Sequence, residues 1–142
     1  MFLIKIIKYF FQAILIYTFF LLGKILGIKR SRVVFSYIFK KVGSLIKSDK
    51  IIKDNLLKFS STISKKEKET ICERMWANYG MTFIEYVFLK EFQTNNIHMN
   101  IIGEEKLEKI SKDNKPVIFV SGHFANFELM SMEITKKEIK LL

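Results

Sequence analysis

The chain opens with an apolar segment that predicts a membrane helix. Residues 9–23 contain no charged side chain, and only Gln12 and Thr18 are clearly polar. A helix that crosses the hydrocarbon core needs about 20 apolar residues, and flanking lysines extend its reach. Apolar side chains on every face argue against the core helix of a soluble protein. A cleaved signal peptide would end at a small-residue cleavage site, and this segment offers none. We therefore expect residues 1–28 to be an uncleaved anchor that spans the membrane or lies in its interface.

The middle of the chain has the periodicity of amphipathic helices. Residues 51–59 predict a short helix that ends at a polar break. Ser64 and Glu67 have the spacing of a capping box, which predicts a helix start. Apolar and aromatic side chains then follow at helical spacing and predict one long helix with a core-facing stripe. The stripe consists of Ile71, Met75, Tyr79, Phe83 and Val87. We interpret Trp76, which lies beside it, as core packing too.

The last third of the chain alternates between strand and helix patterns. Residues 97–102 alternate in polarity and predict a strand, which a short polar helix over residues 104–111 follows. Residues 117–120 are apolar in succession, which is typical of a strand buried on both faces of a sheet. A second helical pattern begins at residue 127. This order indicates an α/β fold with a parallel strand pair and a crossover connection.

Composition and charge point to a membrane setting. The chain is 49% hydrophobic and has a net charge of +10, so it is too apolar for a disordered protein and favours anionic partners. No nucleic-acid motif is present, and we expect no nucleic-acid partner. More basic residues follow the anchor than precede it, which places the remainder of the chain in the cytoplasm. The lone cysteine, Cys72, excludes an internal disulfide and is interpreted as a semi-buried core residue.

Basic and aromatic residues are mixed directly after the predicted anchor. The basic residues are Lys29, Arg30, Arg32, Lys40 and Lys41, and they interleave with Phe35, Tyr37, Ile38 and Phe39. Basic groups meet lipid phosphates at a membrane surface, and aromatic rings sit at headgroup depth. This segment is therefore expected to contact the membrane surface through both kinds of side chain.

The candidate chemistry lies in residues 121–128, Ser-Gly-His-Phe-Ala-Asn-Phe-Glu. His123 would leave the C-terminal end of the second strand and Glu128 would enter the first turn of the next helix, where open α/β sheets bind ligands. An imidazole can take the proton of a hydroxyl nucleophile, and a carboxylate at its second nitrogen fixes the tautomer. A loop histidine beside a helix-capping glutamate is the plain alternative. No metal is expected, because no second His or Cys ligand lies nearby.

This segment resembles the signature of glycerolipid acyltransferases, a histidine followed five positions later by Asp or Glu. It looks most like the branch of lipid A lauroyl and myristoyl transferases. Asn126 and Glu128 match that branch, whereas Ala125 stands where it has Gly and Phe127 where it has Trp. Asn126 is then a candidate substrate contact, or else a residue that holds the turn. Further points of resemblance lie at Asp54-Asn55-Leu56, Tyr79-Gly80 and Glu85.

The resemblance implies transfer of a fatty acyl group from acyl carrier protein to a hydroxyl of a lipid A precursor. His123 would be the general base and Glu128 its orienting carboxylate, without a cofactor, at the bacterial inner membrane behind a single-pass anchor. Members of the family are roughly twice as long. Residues 29–142 are therefore expected to be the N-terminal part of a truncated acyltransferase domain, weakly active or inactive alone. A non-catalytic membrane remnant that binds anionic lipid, or an acyltransferase for another glycolipid, is the alternative.

Overall fold

The computed structural model describes residues 2–46, 49–95, 98–113 and 115–139. Their helices are α1 (Phe2–Ile46), α2 (Asp49–Phe59), α3 (Lys65–Glu85), a 3₁₀ turn (Tyr86–Phe88), α4 (Leu89–Thr94), α5 (Glu104–Asp113) and α6 (Glu128–Lys136). The chain divides into two compact units, Met1–Val87 and Phe88–Leu142. We call them the first unit and the second unit.

Helix α1 is sharply bent at Gly27. This residue has φ 71° and ψ 163°, a conformation open to glycine because it has no Cβ. The ring centroids of Phe19 and Phe35 lie 5.5 Å apart across the bend. In a straight helix these two residues would be separated by roughly 24 Å. Helix α1 therefore consists of two arms, residues 2–26 (the first arm) and residues 28–46 (the second arm).

The first arm carries the membrane-helix character of the chain. Among the described residues, one helix, Phe2–Gly43, is apolar and long enough by composition to cross a membrane. Its most apolar 18 residues have a mean hydropathy of 1.8, and 11% of them are buried. Because Gly27 interrupts this helix, the first arm has to be judged alone. Residues 2–26 span roughly 37 Å as a straight helix, more than the hydrocarbon core of about 30 Å.

Helix α3 packs against both arms, with Phe83 at the centre of the contact. Its ring centroid lies between 5.5 and 6.4 Å from four rings on the arms, those of Phe19, Phe20, Phe35 and Phe39. At Gly80, an added Cβ would lie 2.2 Å from the carbonyl oxygen of Phe35. The two helix backbones therefore approach so closely that only glycine fits. At the bend, the Ser31 hydroxyl donates to the carbonyl oxygen of Gly23 at 2.9 Å.

The helices predicted over residues 51–59 and after Ser64 are confirmed, but the core-facing stripe is wrong at Ile71 and Tyr79, which are 38% and 56% exposed. The backbone N–H of Ser64 donates to Glu67 Oε2 at 2.9 Å, and the N–H of Glu67 donates to Ser64 Oγ at 3.2 Å. These bonds complete the capping box, and hydrogen bonding to Ser64 holds the pKa of the Glu67 carboxyl below its usual value. Trp76 and Cys72 are buried, as expected. The prediction of a membrane-facing Phe35 is wrong, because that side chain is 1% exposed and belongs to the aromatic core.

The second unit has no strand among its described residues, so the predicted α/β fold is wrong. Residue 97 lies outside the described part of the chain, and residues 99–103 form an irregular loop. Residues 115–124 run without a paired neighbour. A strand exists through hydrogen bonds to a second strand, and neither candidate finds one in these ranges. Ile118 and Val120 are 90% and 91% exposed, the reverse of a strand buried on both faces.

Helix α6 is held in the second unit by lysine contacts at its C-terminal end. Lys136 donates to the carbonyl oxygen of Phe92 on α4 at 2.8 Å. Lys137 lies 2.7 Å from Glu104 and 3.2 Å from Glu108 on α5. Hydrogen bonding to these two carboxylates raises the pKa of the Lys137 ammonium. The two lysines thus tie α4 and α5 to the helix that begins at Glu128.

Candidate active site

The candidate site lies in the turn that leads into α6. The backbone N–H of Phe124 donates to the carbonyl oxygen of Gly122 at 2.9 Å, which places His123 at the middle of a three-residue turn. Ala125 follows with φ 47°, in the left-handed region that is costly for any residue with a Cβ. This is the position where the resembled branch has glycine. The backbone conformation explains the glycine of that branch, because glycine adopts a left-handed conformation without strain.

The His123 ring stacks on the ring of Phe127. Their centroids lie 3.9 Å apart and their planes differ by 7°. Stacking occupies one face of the imidazole, whereas its two nitrogens lie on the ring edge and point away from the stack. His123 is exposed to solvent. The stack therefore sets the plane of the ring and leaves its nitrogens in position to exchange protons with a bound molecule.

Glu128 and Asn126 lie at the start of α6. Glu128 is the first residue of the helix and is half-buried. A carboxylate there is stabilised by the unpaired N–H groups and by the helix dipole. The carbonyl oxygen of Asn126 accepts from the N–H of Leu129 at 3.3 Å, and its Oδ1 atom is buried. The hydrogen bond is made by the backbone of Asn126, so whether its side chain holds the turn or contacts substrate stays a prediction.

One aromatic side chain links the candidate histidine to the start of α6. His123 stacks on Phe127, which immediately precedes Glu128. The sequence prediction treated Phe127 only as the counterpart of a family tryptophan and missed its contact with the imidazole. The retained aromatic character at that position was the one available indication, because Phe and Trp both present a flat ring for stacking.

An apolar cavity of about 610 Å³ lies beside α6 within the second unit. Its walls include Ile102, Leu107, Ile110, Phe119, Leu129 and Met130. Leu129 and Met130 directly follow Glu128, so the cavity begins within the first turn of α6, next in sequence to the candidate carboxylate. Its volume falls in the range typical of sites for small ligands. The sequence prediction missed this cavity, because it assigned the lining segments to two strands and two helices of a sheet that is not formed.

Two charged side chains also line the cavity, Lys106 and Glu133. Glu133 is 7% exposed and is bonded to the Lys136 ammonium, so its charge is compensated within α6. In the described ranges, no group of three or more His, Cys, Asp or Glu side chains is arranged to hold a metal ion. The lining is thus mainly aliphatic and suits a hydrocarbon chain better than a polar ligand.

Comparison with known proteins gives one family. The model of the family described as bacterial lipid A biosynthesis acyltransferase matches residues 3–141. The matched range includes the first arm, helix α3 with Gly80 and Glu85, and the segment from His123 to Glu128. No curated protein and no solved structure matches the chain.

Proposed function

The chain belongs to the bacterial lipid A biosynthesis acyltransferase family, and on that basis we propose that it serves in transferring a fatty acyl group from acyl carrier protein to a hydroxyl of a lipid A precursor. The observation that carries the proposal is the family match, which spans the His123–Glu128 segment. The net charge of +10 suits an acidic donor protein as well as a phosphorylated acceptor.

His123 is the general base of the proposed reaction. One of its ring nitrogens takes the proton of the acceptor hydroxyl while the hydroxyl oxygen attacks the carbonyl carbon of the acyl thioester. The carbon–sulfur bond then breaks, and the imidazolium returns the proton to the departing sulfur. One hydroxyl and one thioester thus give one ester and one thiol, and the imidazole ends neutral, as it began.

Glu128 and Phe127 orient the imidazole in this proposal. A carboxylate beside the second ring nitrogen holds the tautomer and stabilises the positive charge that develops. Glu128 occupies the first turn of α6, two positions after Asn126. Phe127 acts as a positioning residue, since its stacked ring restricts the imidazole to one plane. In the proposal, Asn126 holds the turn between His123 and Glu128.

The cavity beside α6 is the proposed site for the acyl chain. Aliphatic walls, a volume of about 610 Å³ and the position next to Glu128 support this assignment. If it is right, Met130→Trp narrows the cavity and shifts the preferred acyl chain toward shorter lengths. The measurement is a competition among acyl donors of different lengths, made at the matching position of a longer family member if turnover of this chain is below detection. The control is Glu105→Trp, at an exposed position of α5 outside the cavity lining. It should leave the preferred acyl chain length unchanged.

The first arm is proposed to cross the inner membrane, with the rest of the chain in the cytoplasm. Its exposed apolar side chains support the crossing, and the basic residues that follow it support the orientation. Protease added to intact spheroplasts should leave residues after Lys29 uncut, and lysis should expose them. Cleavage from outside would reverse the proposed topology. Recovery without detergent in the soluble fraction would exclude an anchor.

The catalytic assignment is tested by acyl transfer with substitutions at His123 and Glu128. We expect His123→Ala to lower the rate at least about 100-fold, because general-base catalysis contributes at least that much. The matched control is His98→Ala, which removes the other of the two histidines of the chain. If turnover of this chain is below detection, the substitution is made at the matching histidine of a longer family member. A rate within about threefold of the unsubstituted enzyme means that this histidine is not the base.

A further inference from the structure

Among the side chains of the second arm that the structure describes, the exposed ones are basic or apolar. The exposed basic residues are Lys29, Arg30, Lys40 and Lys41, and the exposed apolar ones are Val33, Val34, Tyr37, Val42 and Leu45. Apart from Val42, which lies seven positions after the buried Phe35 and on its side of the helix, they recur at intervals of three and four and so share one side, which we call the outward face. Residues 28–46 contain no Asp or Glu. The outward face thus combines positive charge with uncovered apolar area.

The opposite side of the second arm is committed to packing on α3. Phe35 and Ser31 are buried there, and Gly43 lies against the ring of Trp76. Arg32 is also directed to α3, where its Nε lies 2.7 Å from Oε1 of the buried Glu85. The outward face is therefore the surface of this arm that the first unit leaves open.

One carboxylate of α3, that of Glu73, reaches the edge of the outward face. Lys40 lies 2.7 Å from Glu73, and both side chains are about half exposed. Hydrogen bonding to Lys40 holds the pKa of the Glu73 carboxyl below its usual value, so this pair is charged and nearly neutral in sum. Lys29, Arg30 and Lys41 supply the positive charge of the face, and the Lys41 ammonium lies 5.7 Å from the centre of the Tyr37 ring.

We propose that the outward face lies on the bilayer and binds anionic phospholipid headgroups. Basic side chains gain about 1 kcal/mol each near an anionic leaflet, and the apolar side chains between them enter the boundary of the acyl region. The second arm also follows directly in the chain on the first arm, which has the character of a membrane helix. An acidic protein would match the charge, but it gives no reason for Val33, at 71%, and Leu45, at 85%, to be uncovered.

Vesicle flotation of the full chain tests the proposal through the variant Arg30→Glu with Lys41→Glu. The vesicles contain phosphatidylcholine alone or phosphatidylcholine mixed with phosphatidylglycerol. We expect the double variant to lose at least about tenfold in partitioning to the mixed vesicles, because two attractive charges become repulsive. Binding to phosphatidylcholine alone is expected to change by less than about threefold, since the first arm is untouched. High salt should reduce the difference.

The matched control is Lys65→Glu with Lys66→Glu, which changes the net charge by the same amount at exposed positions of α3. It should bind the mixed vesicles like the unsubstituted chain. Equal losses in both double variants would overturn the proposal, because net charge alone would then explain the binding. Unchanged vesicle binding with lost binding to acyl carrier protein would overturn it in favour of a protein partner. The vesicle flotation assay contains neither an acyl donor nor an acceptor, so its result does not depend on the proposed acyl transfer.

Circular dichroism is measured on both double variants to confirm equal helix content. If the outward double variant loses helix, the milder Lys41→Gln is compared with Lys66→Gln in its place. The same order of vesicle binding is expected, with a smaller difference of about threefold to fivefold for one charge. Identical binding of these two single variants to the mixed vesicles would also overturn the proposal.

Discussion

The two units differ in how their apolar side chains are covered. In the first unit, Phe35 and Ile84 are 1% and 0% exposed, and the uncovered apolar residues lie mainly on the first arm and the outward face. In the second unit, Ile118 and Val120 are at least 90% exposed although they directly precede the candidate site. A lipid bilayer can cover the first arm. It does not explain residues 117–120, which span roughly 13 Å when extended, less than half the hydrocarbon core.

This difference follows from the kind of contact each unit needs. The arms of α1 and helix α3 bury their aromatic side chains against each other, and their backbone hydrogen bonds are satisfied within each helix. Residues 117–120 have no such internal bonds, so an extended segment has to find them in a neighbouring strand. The described residues supply none. The first unit therefore has a packed aromatic core, whereas the second unit leaves residues 117–120 uncovered just before His123.

The largest expected effect concerns activity of the chain as it stands. We expect the purified chain, in detergent with acyl carrier protein donor and lipid A precursor, to match the no-enzyme blank. Proximity and orientation contribute up to ~7–11 kcal/mol to a barrier reduction, and an exposed His123 beside an uncovered segment holds its geometry too loosely. Product is measured by mass spectrometry. Turnover near that of a longer family member would show that the second unit forms a working site unaided.

Packing in the first unit should be sensitive to a single methyl group. We expect Gly80→Ala to lower the free energy of unfolding by about 1–3 kcal/mol, because the added Cβ meets a carbonyl oxygen rather than a mobile side chain. Thermal unfolding followed by circular dichroism in detergent measures it. Glu69→Ala, at an exposed position of the same helix, is the control and should change little. A stable Gly80→Ala variant would mean that α3 and the second arm are not in close contact.

Stacking of Phe127 on His123 gives an intermediate effect that can be read without turnover. In Phe127→Leu, the ring proton resonances of His123 should move downfield, because the stacked aromatic ring current is lost. Phe127→Trp should keep these resonances upfield, because the tryptophan ring can stack in the same way. In Phe127→Leu, the loss of stacking should lower the local stability by about 0.5–1.5 kcal/mol. The resonances of His98 serve as the internal control. Unchanged His123 resonances in Phe127→Leu would show that the two rings are not stacked in solution.

The smallest expected effect is at Ala125. Its φ of 47° is strained for alanine, so Ala125→Gly should stabilise the turn, by less than about 1 kcal/mol after the greater unfolded-state freedom of glycine is subtracted. Slower hydrogen exchange at the amides of Leu129 and Met130 is the measurement. The control is Ala77→Gly inside α3, which should lose about 1 kcal/mol. Faster exchange in Ala125→Gly would mean that the turn is not left-handed at this residue.

Several features of this protein were determined by short stretches of its sequence. The capping box at Ser64 and Glu67, the starts of α3 and α5, and the apolar first arm depend on hydrogen bonds and periodicity within a few residues, and all were predicted. The family was also identified from a short motif, because His123, Asn126 and Glu128 keep their spacing whatever the fold around them. Whether these residues perform the proposed chemistry stays a prediction.

Other features were decided only by contacts between segments far apart in the chain. The bend at Gly27 depends on the packing of Phe19 and Phe35 on Phe83, and an apolar run alone predicts a straight helix equally well. The absence of strands has the same cause. Residues 117–120 have the composition of a buried strand, but composition supplies no partner for their N–H and C=O groups. The stack of His123 on Phe127 likewise depends on the turn at Ala125, whose left-handed backbone no side-chain pattern indicates.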